Sequence, residues 1–225
     1  MDKECLDILI EPVRPDETEA LLALYVGLFY EREPLTACLG LGRERMVSIA
    51  RSMYVESGVN PILQGLCWIA RDSNAGNRTM GFIVCDDPFA EGHAAIPENL
   101  QQDELEKVAA MQALMEAVRS PLKEQGALEA GRFLHIAAVG VAPDCEGAGI
   151  ATRLLQTALA GGRSKGFAYA FAECTSEASK RCHEKNGFST LHRVAADTVS
   201  GNRNCLFAGT SLDLYLLWKD LTDVS

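Results

Sequence analysis

Residues 132–165, RFLHIAAVGVAPDCEGAGIATRLLQTALAGGRSK, constrain the fold more than any other stretch. An apolar, β-branched run from Phe133 to Val141 predicts a buried strand, and Pro143 ends it. The turn Glu146-Gly147-Ala148-Gly149 follows, and then Ala151, Leu154, Leu155 and Ala158 recur at the spacing of one helical face. Strand, tight glycine turn and helix start aim backbone N–H groups and the positive helix end at one point, which suits phosphate. Glycines let a diphosphate approach the main chain. Turn glycines are also common in ordinary strand-to-helix connections, so the turn alone leaves both readings open. It is not a P-loop, because no Gly-Lys-Ser/Thr follows. It is also short of the dinucleotide pattern GxGxxG.

The flanking residues narrow this. Val141-x-Pro143-x-x-Glu146-x-x-Gly149-x-Ala151 resembles the acetyl-CoA loop of the GNAT superfamily of N-acetyltransferases, whose usual pattern is Gln/Arg-x-x-Gly-x-Gly/Ala. His183-Glu184-Lys185-Asn186-Gly187-Phe188 is similar to the family's Tyr-Glu-Lys-x-Gly-Phe. Leu28-Phe29-Tyr30-Glu31-Arg32-Glu33-Pro34-Leu35 resembles the F-x-x-D-E-P-L segment of the insect-type arylalkylamine branch. Cys174-Thr175-Ser176-Glu177-Ala178-Ser179 resembles that branch's Cys-Ser-Ser-x-x-Ser.

The resemblance implies an α/β (α+β) GNAT fold, with a mixed sheet of about seven strands flanked by helices, as one domain over residues 1–225. It implies acetyl-CoA as co-substrate, no metal, and acetyl transfer to a small arylalkylamine by direct attack in a ternary complex. Alternatives within the fold are a polyamine, an amino acid or a protein amine as acceptor. A non-catalytic acyl-CoA-binding module is a third reading.

A free alkylamine has a pKa near 10, so transfer needs a proton acceptor, and donors must stabilise the developing oxyanion. The resemblance assigns the base to Glu33, which by position alone reads as a solvated helix-end glutamate. A carboxylate is a weak base for such an amine unless it is desolvated or relays through water. Thr175 and Ser179 take the branch's two hydroxyl positions, or equally serve the helix start as caps. Backbone amides at Val139 and Val141, with Glu146, Gly147, Ala148, Gly149, Ile150 and Ala151, are the implied cofactor contacts. Glu146 departs from the family's Gln or Arg, and a carboxylate beside a diphosphate is unfavourable. Such loops bind mainly through main-chain N–H groups, so binding would survive with Glu146 turned outward; Arg153 could compensate, but reads rather as a surface residue. His183 stands where many relatives carry tyrosine, and reads as a partly exposed helix histidine. Phe29, Tyr30 and Trp68 are candidate walls of the amine pocket, or core residues.

The formal net charge is −10 over 225 residues, which argues against nucleic acid as a partner. The eight cysteines form no C-x-x-C, so they read as reduced thiols of a cytoplasmic protein. Cys145, in the glycine turn, could have its pKa lowered by the helix N-terminus. Neither a signal peptide nor an apolar run near the roughly 18 residues of a membrane helix is visible. A monomer or a homodimer, paired through the last strands, fits equally.

Along the chain, strands are expected at Leu6–Ile10, Leu66–Arg71, Thr79–Cys85, Phe133–Val141, Ala168–Cys174, Phe188–Val194 and Leu212–Trp218. Asp16 is expected to cap the first helix, with Pro34 at or beyond its end. Further helices are expected around Met46–Met53, over Gln101–Val118, after the glycine turn, and over Glu177–Lys185.

Overall fold

A computed structural model describes residues 7–30, 32–92, 100–199 and 206–222. The expected positions Leu6, Cys5, Glu31 and Cys205 lie outside the described residues.

Three antiparallel strands come first in the sheet: β1 (Ile8–Pro12), β2 (Cys67–Asp72) and β3 (Arg78–Asp86). β4 (Phe133–Val141) joins β3 antiparallel, and β5 (Tyr169–Cys174) joins β4 parallel. β6 (Ser189–Ala195) and β7 (Asp213–Asp220) complete a seven-stranded sheet of order β1-β2-β3-β4-β5-β7-β6. The mixed sheet is the one the sequence pattern implies.

The helices are α1 (Thr18–Leu24), α2 (Pro34–Leu39), α3 (Arg43–Arg51), α4 (Gln102–Arg119), α5 (Leu122–Gln125), α6 (Ile150–Ser164) and α7 (Glu177–Lys185). A parallel pair needs a crossover, and α6 supplies the one between β4 and β5. Its apolar stripe of Ile150, Leu154, Leu155, Ala158 and Leu159 is buried against the sheet with Met80, Ile83 and Leu134. The opposite face is covered by α1 and α3, through Leu21, Leu22, Met46 and Ala50, and by α4, through Leu114 and Val118.

Asp16 does not cap the first helix. Residues Pro15–Glu17 form a 3-10 turn, in which Glu17 Oε2 accepts the Arg14 N–H at 3.0 Å. A π-helix over Tyr25–Tyr30 follows α1, and Pro34 then opens α2 rather than merely following a helix end. Proline suits that place because the first helical N–H has no partner within the helix.

Two features of β4 open the cleft. Its pairing with β5 covers only Phe133, Leu134 and His135, after which the strands part. Against β3, the register slips between Val84↔Ala138 and Cys85↔Ile136, which leaves Ala137 as a bulge. The Ala142 N–H points to β3, donating to Met80 O at 2.8 Å. Successive strand amides point to opposite edges, so the Val139 and Val141 N–H groups face the gap where β5 has diverged.

Candidate active site

A cleft of about 780 Å³ fills that gap. Glu33 opens onto it from the N-cap of α2, where its carboxylate accepts the Leu35 N–H at 3.0 Å and the Thr36 N–H at 2.6 Å. The Thr175 hydroxyl donates to the same carboxylate. Two expected site residues, far apart in sequence, are therefore in direct contact. Capping fixes the Glu33 rotamer, and the proline after it fixes the turn.

Ser179 lines the cleft too, but its hydroxyl donates to Cys174 Sγ at 3.3 Å. The cap of α7 is Ser176, whose Oγ accepts the Ser179 N–H. Neither Thr175 nor Ser179 is spent as a helix cap.

At the other end, Glu146 leads into the turn, and Gly147 and Gly149 take φ of +78° and +79°. A Cβ at either glycine would meet nothing within 4 Å, so the backbone there is open to a ligand. α6 begins at Ile150 with no side-chain cap, leaving the N–H groups of its first turn as free donors. This donor-rich turn and the open β4 edge are the surroundings a diphosphate on a thin amide-bearing arm would need. Ala151 lines the cleft just inside the helix, while Ile150 packs into the core.

Three buried polar groups at the inner end, His135, Asp86 and the Glu173 side chain, and the half-buried Arg119 escaped sequence reasoning. His135 Nδ1 lies 2.8 Å from Asp86 Oδ1, and Nε2 lies 2.8 Å from Glu173 Oε2. Arg119 donates to the other oxygen of Glu173, and the His135 ring stacks on Phe171 at 4.8 Å. Burial opposes a charged imidazole, but the carboxylates of Glu173 and Asp86 prevail and raise His135 to about 9. For Glu173, burial is likewise outweighed by Arg119 and His135, which hold its carboxyl far below the usual range. The signal was available: a histidine and a glutamate interrupt two otherwise apolar strands.

Several expectations are corrected. Trp68 packs on the α6 side of the sheet, in the core, and Tyr30 is buried with its hydroxyl donating to Leu41 O. Tyr25 and Tyr54, edge to face at 5.6 Å, take their place with Phe29 as aromatic walls. His183 is buried rather than partly exposed. Burial lowers its pKa, Nδ1 donates to Ser179 O at 2.9 Å, and Nε2 has no partner. A neutral ring in this tautomer accepts at Nε2, so it is no proton donor at neutral pH. The Cys145 thiol is not activated, because burial and then the nearby Asp144 carboxylate raise its pKa. Glu146 does not simply turn outward: its Oε1 lies 2.5 Å from Arg32 Nη2. Arg153 instead donates to Ile8 O at 2.7 Å, away from the cleft. Cys38, Cys67, Cys85, Cys145, Cys174 and Cys182 are free thiols.

The family described as Acetyltransferase (GNAT) matches residues 56–188, more than half of the chain. The chain belongs to that family. As a GNAT protein it is an acetyl-CoA-dependent N-acetyltransferase. No curated protein sequence matches it. Among solved structures, it is similar to the C-terminal condensation domain of Ebony in complex with β-alanyl-dopamine. The TM-score is 0.79 at 16% identity, covering 96% of this chain and 100% of that one. A mosquito arylalkylamine N-acetyltransferase, like 5b, has a TM-score of 0.72 at 17% identity, covering 95% of this chain and 100% of that one. A Drosophila melanogaster polyamine N-acetyltransferase that forms N-acetylagmatine has a TM-score of 0.66 at 18% identity, covering 95% and 100%. At these identities the likeness speaks for the fold of the GNAT chain. Among its described residues, no group of His, Cys, Asp and Glu could hold a metal, and no helix is long and apolar enough to cross a membrane.

Proposed function

We propose that the chain acetylates the primary amine of a small arylalkylamine by direct attack in a ternary complex, with Glu33 as the proton acceptor. The observation that carries this is the setting of Glu33. It opens onto a cleft walled by Tyr25, Phe29 and Tyr54, together with Met46, Met53, Met111 and Met115. Aromatic and thioether walls suit a flat ring. The buried carboxylates of that cleft, Asp86 and Glu173, are already engaged by His135 and Arg119, so neither is left to hold the distal ammonium of a polyamine. The solved relatives that act on arylalkylamines, or hold β-alanyl-dopamine, support the same reading.

Acetyl-CoA would supply the activated acyl group. The open donors of Gly147, Gly149, Ile150 and Ala151 fit its diphosphate, whereas the Ala148 N–H is held by Cys145 O at 3.4 Å, and the β4 edge at Val139 and Val141 fits the amide-bearing arm. Those strand N–H groups would also stabilise negative charge developing on the thioester carbonyl oxygen. Glu33, fixed by its cap and by Thr175, would receive the ammonium proton directly or through one water.

Glu33→Gln tests the reading. The amide keeps the size and one acceptor but cannot take the proton. Turnover of tyramine should fall by about two orders of magnitude or more, while acetyl-CoA binding persists. Turnover equal to wild type would remove Glu33 from the mechanism.

A further inference from the structure

We propose that Arg32 is the cationic side chain that contacts the cofactor's diphosphate, and that its bridge to Glu146 is a strap that parts as the cofactor seats. This rests on acetyl-CoA occupying the β4 edge and the glycine turn as described above.

Arg32 reaches both places at once. Its Nη1 donates to Val141 O at 3.3 Å, and its Nη2 holds Glu146 Oε1 at 2.5 Å. A strand residue's carbonyl and N–H share an edge, so Arg32 covers the part of β4 that an amide-bearing arm would pair with. The arm and the Arg32–Val141 contact are therefore mutually exclusive. Displaced from β4, the guanidinium remains beside the turn whose N–H groups are open.

The other cations around that turn are committed elsewhere. Arg78 is held by Asp144 at 2.6 Å, and Arg153 by Ile8 O at 2.7 Å. Neither lines the cleft, whereas Arg32 and Glu146 both do.

The sequence carries the same message. The segment it resembles has Asp where Arg32 stands, and the loop it resembles has Gln or Arg where Glu146 stands. The two departures, of which Glu146 alone would be unfavourable beside a diphosphate, together make one exchange of charge between elements 114 positions apart. The positive group is kept at the cofactor mouth but delivered from the α1–α2 connection. Both partners are about half exposed, at 45% and 53%, so parting them costs little. A guanidinium is also well matched to phosphate oxygens.

The test is calorimetric binding of CoA and of acetyl-pantetheine, which lacks the diphosphate, to wild type, Arg32→Ala, Glu146→Gln and the double variant Arg32→Ala/Glu146→Arg. Arg32→Ala should weaken CoA about tenfold and leave acetyl-pantetheine within about twofold. Glu146→Gln should tighten CoA by freeing Arg32, and the double variant should regain most of the loss. Equal losses for both ligands in Arg32→Ala, or weaker CoA binding in Glu146→Gln, would overturn the strap while leaving the cofactor reading intact. No CoA binding by wild type would overturn the cofactor reading itself, and the strap with it.

Discussion

The Thr175 hydroxyl donates to Glu33 Oε1 across the mouth of the cleft, joining the end of β5 to the cap of α2 over 142 positions. The contact adds a third donor to the two backbone N–H groups that already hold the carboxylate, sharing Oε1 with the Leu35 N–H. The orientation of Glu33 is thus set by tertiary structure as well as by its own helix.

Thr175→Val removes the donor and keeps the shape. A hydrogen bond to a charged group contributes about 1.5–3 kcal/mol, so kcat/KM should drop between about tenfold and a hundredfold. Thr175→Ser should stay within a few-fold of wild type. Steady-state kinetics on both variants checks this, and a loss in Thr175→Ser with none in Thr175→Val would show that the methyl group matters instead.

The buried cluster around His135 predicts a pH dependence of stability. The folded pKa of His135, about 9, lies above its ordinary 6.5, so its stabilisation is complete below pH 6.5 and is lost as pH rises through about 9. Glu173 is shifted down, so its share is present above its ordinary 4.5 and is lost only in strong acid. Melting curves of wild type and His135→Gln should differ most between about pH 4.5 and 6.5 and converge in alkali. A gap that widens above pH 9 would contradict the assignment.

His183 should stay neutral. Burial lowers its pKa below the ordinary 6.5, so its ring nitrogens should not titrate between pH 6.5 and 8. Nitrogen NMR of the labelled side chains reads this directly, with Nδ1 protonated. A midpoint at or above 6.5 would restore it as a proton donor for the leaving thiolate.

Gly140 sits on β4 between Val139 and Val141, and a Cβ there would lie 2.4 Å from Phe82 Cε1 and 3.1 Å from Leu28 Cβ. Gly140→Ala should destabilise by about 1–3 kcal/mol and lower the melting temperature by several degrees. Thermal unfolding by circular dichroism measures it, and an unchanged Tm would show that Phe82 can move aside.

The elements with strong local signals were legible. Phe133–Val141 and Glu177–Lys185 have the boundaries their patterns predict, because an apolar run ended by proline and a serine-capped start are local facts. The glycine turn, Glu33 and Thr175 were reachable through motif spacing. What was not legible depended on which face of a buried strand meets the cleft. Strand periodicity cannot say that Trp68 points to α6, nor that Ala137 bulges and resets the alternation of β4. The four-residue helix α5 is too short for a periodic signal. The Arg32–Glu146 pair and the His135 cluster are contacts between distant segments, and only the fold brings them together.

The central claim is tested most directly by competition. Wild-type protein is given acetyl-CoA with equimolar tyramine and spermidine, and products are read by mass so that the free thiols do not interfere. The account predicts N-acetyltyramine as the dominant product. Acetylspermidine as the dominant product would keep the fold and the chemistry and contradict the acceptor.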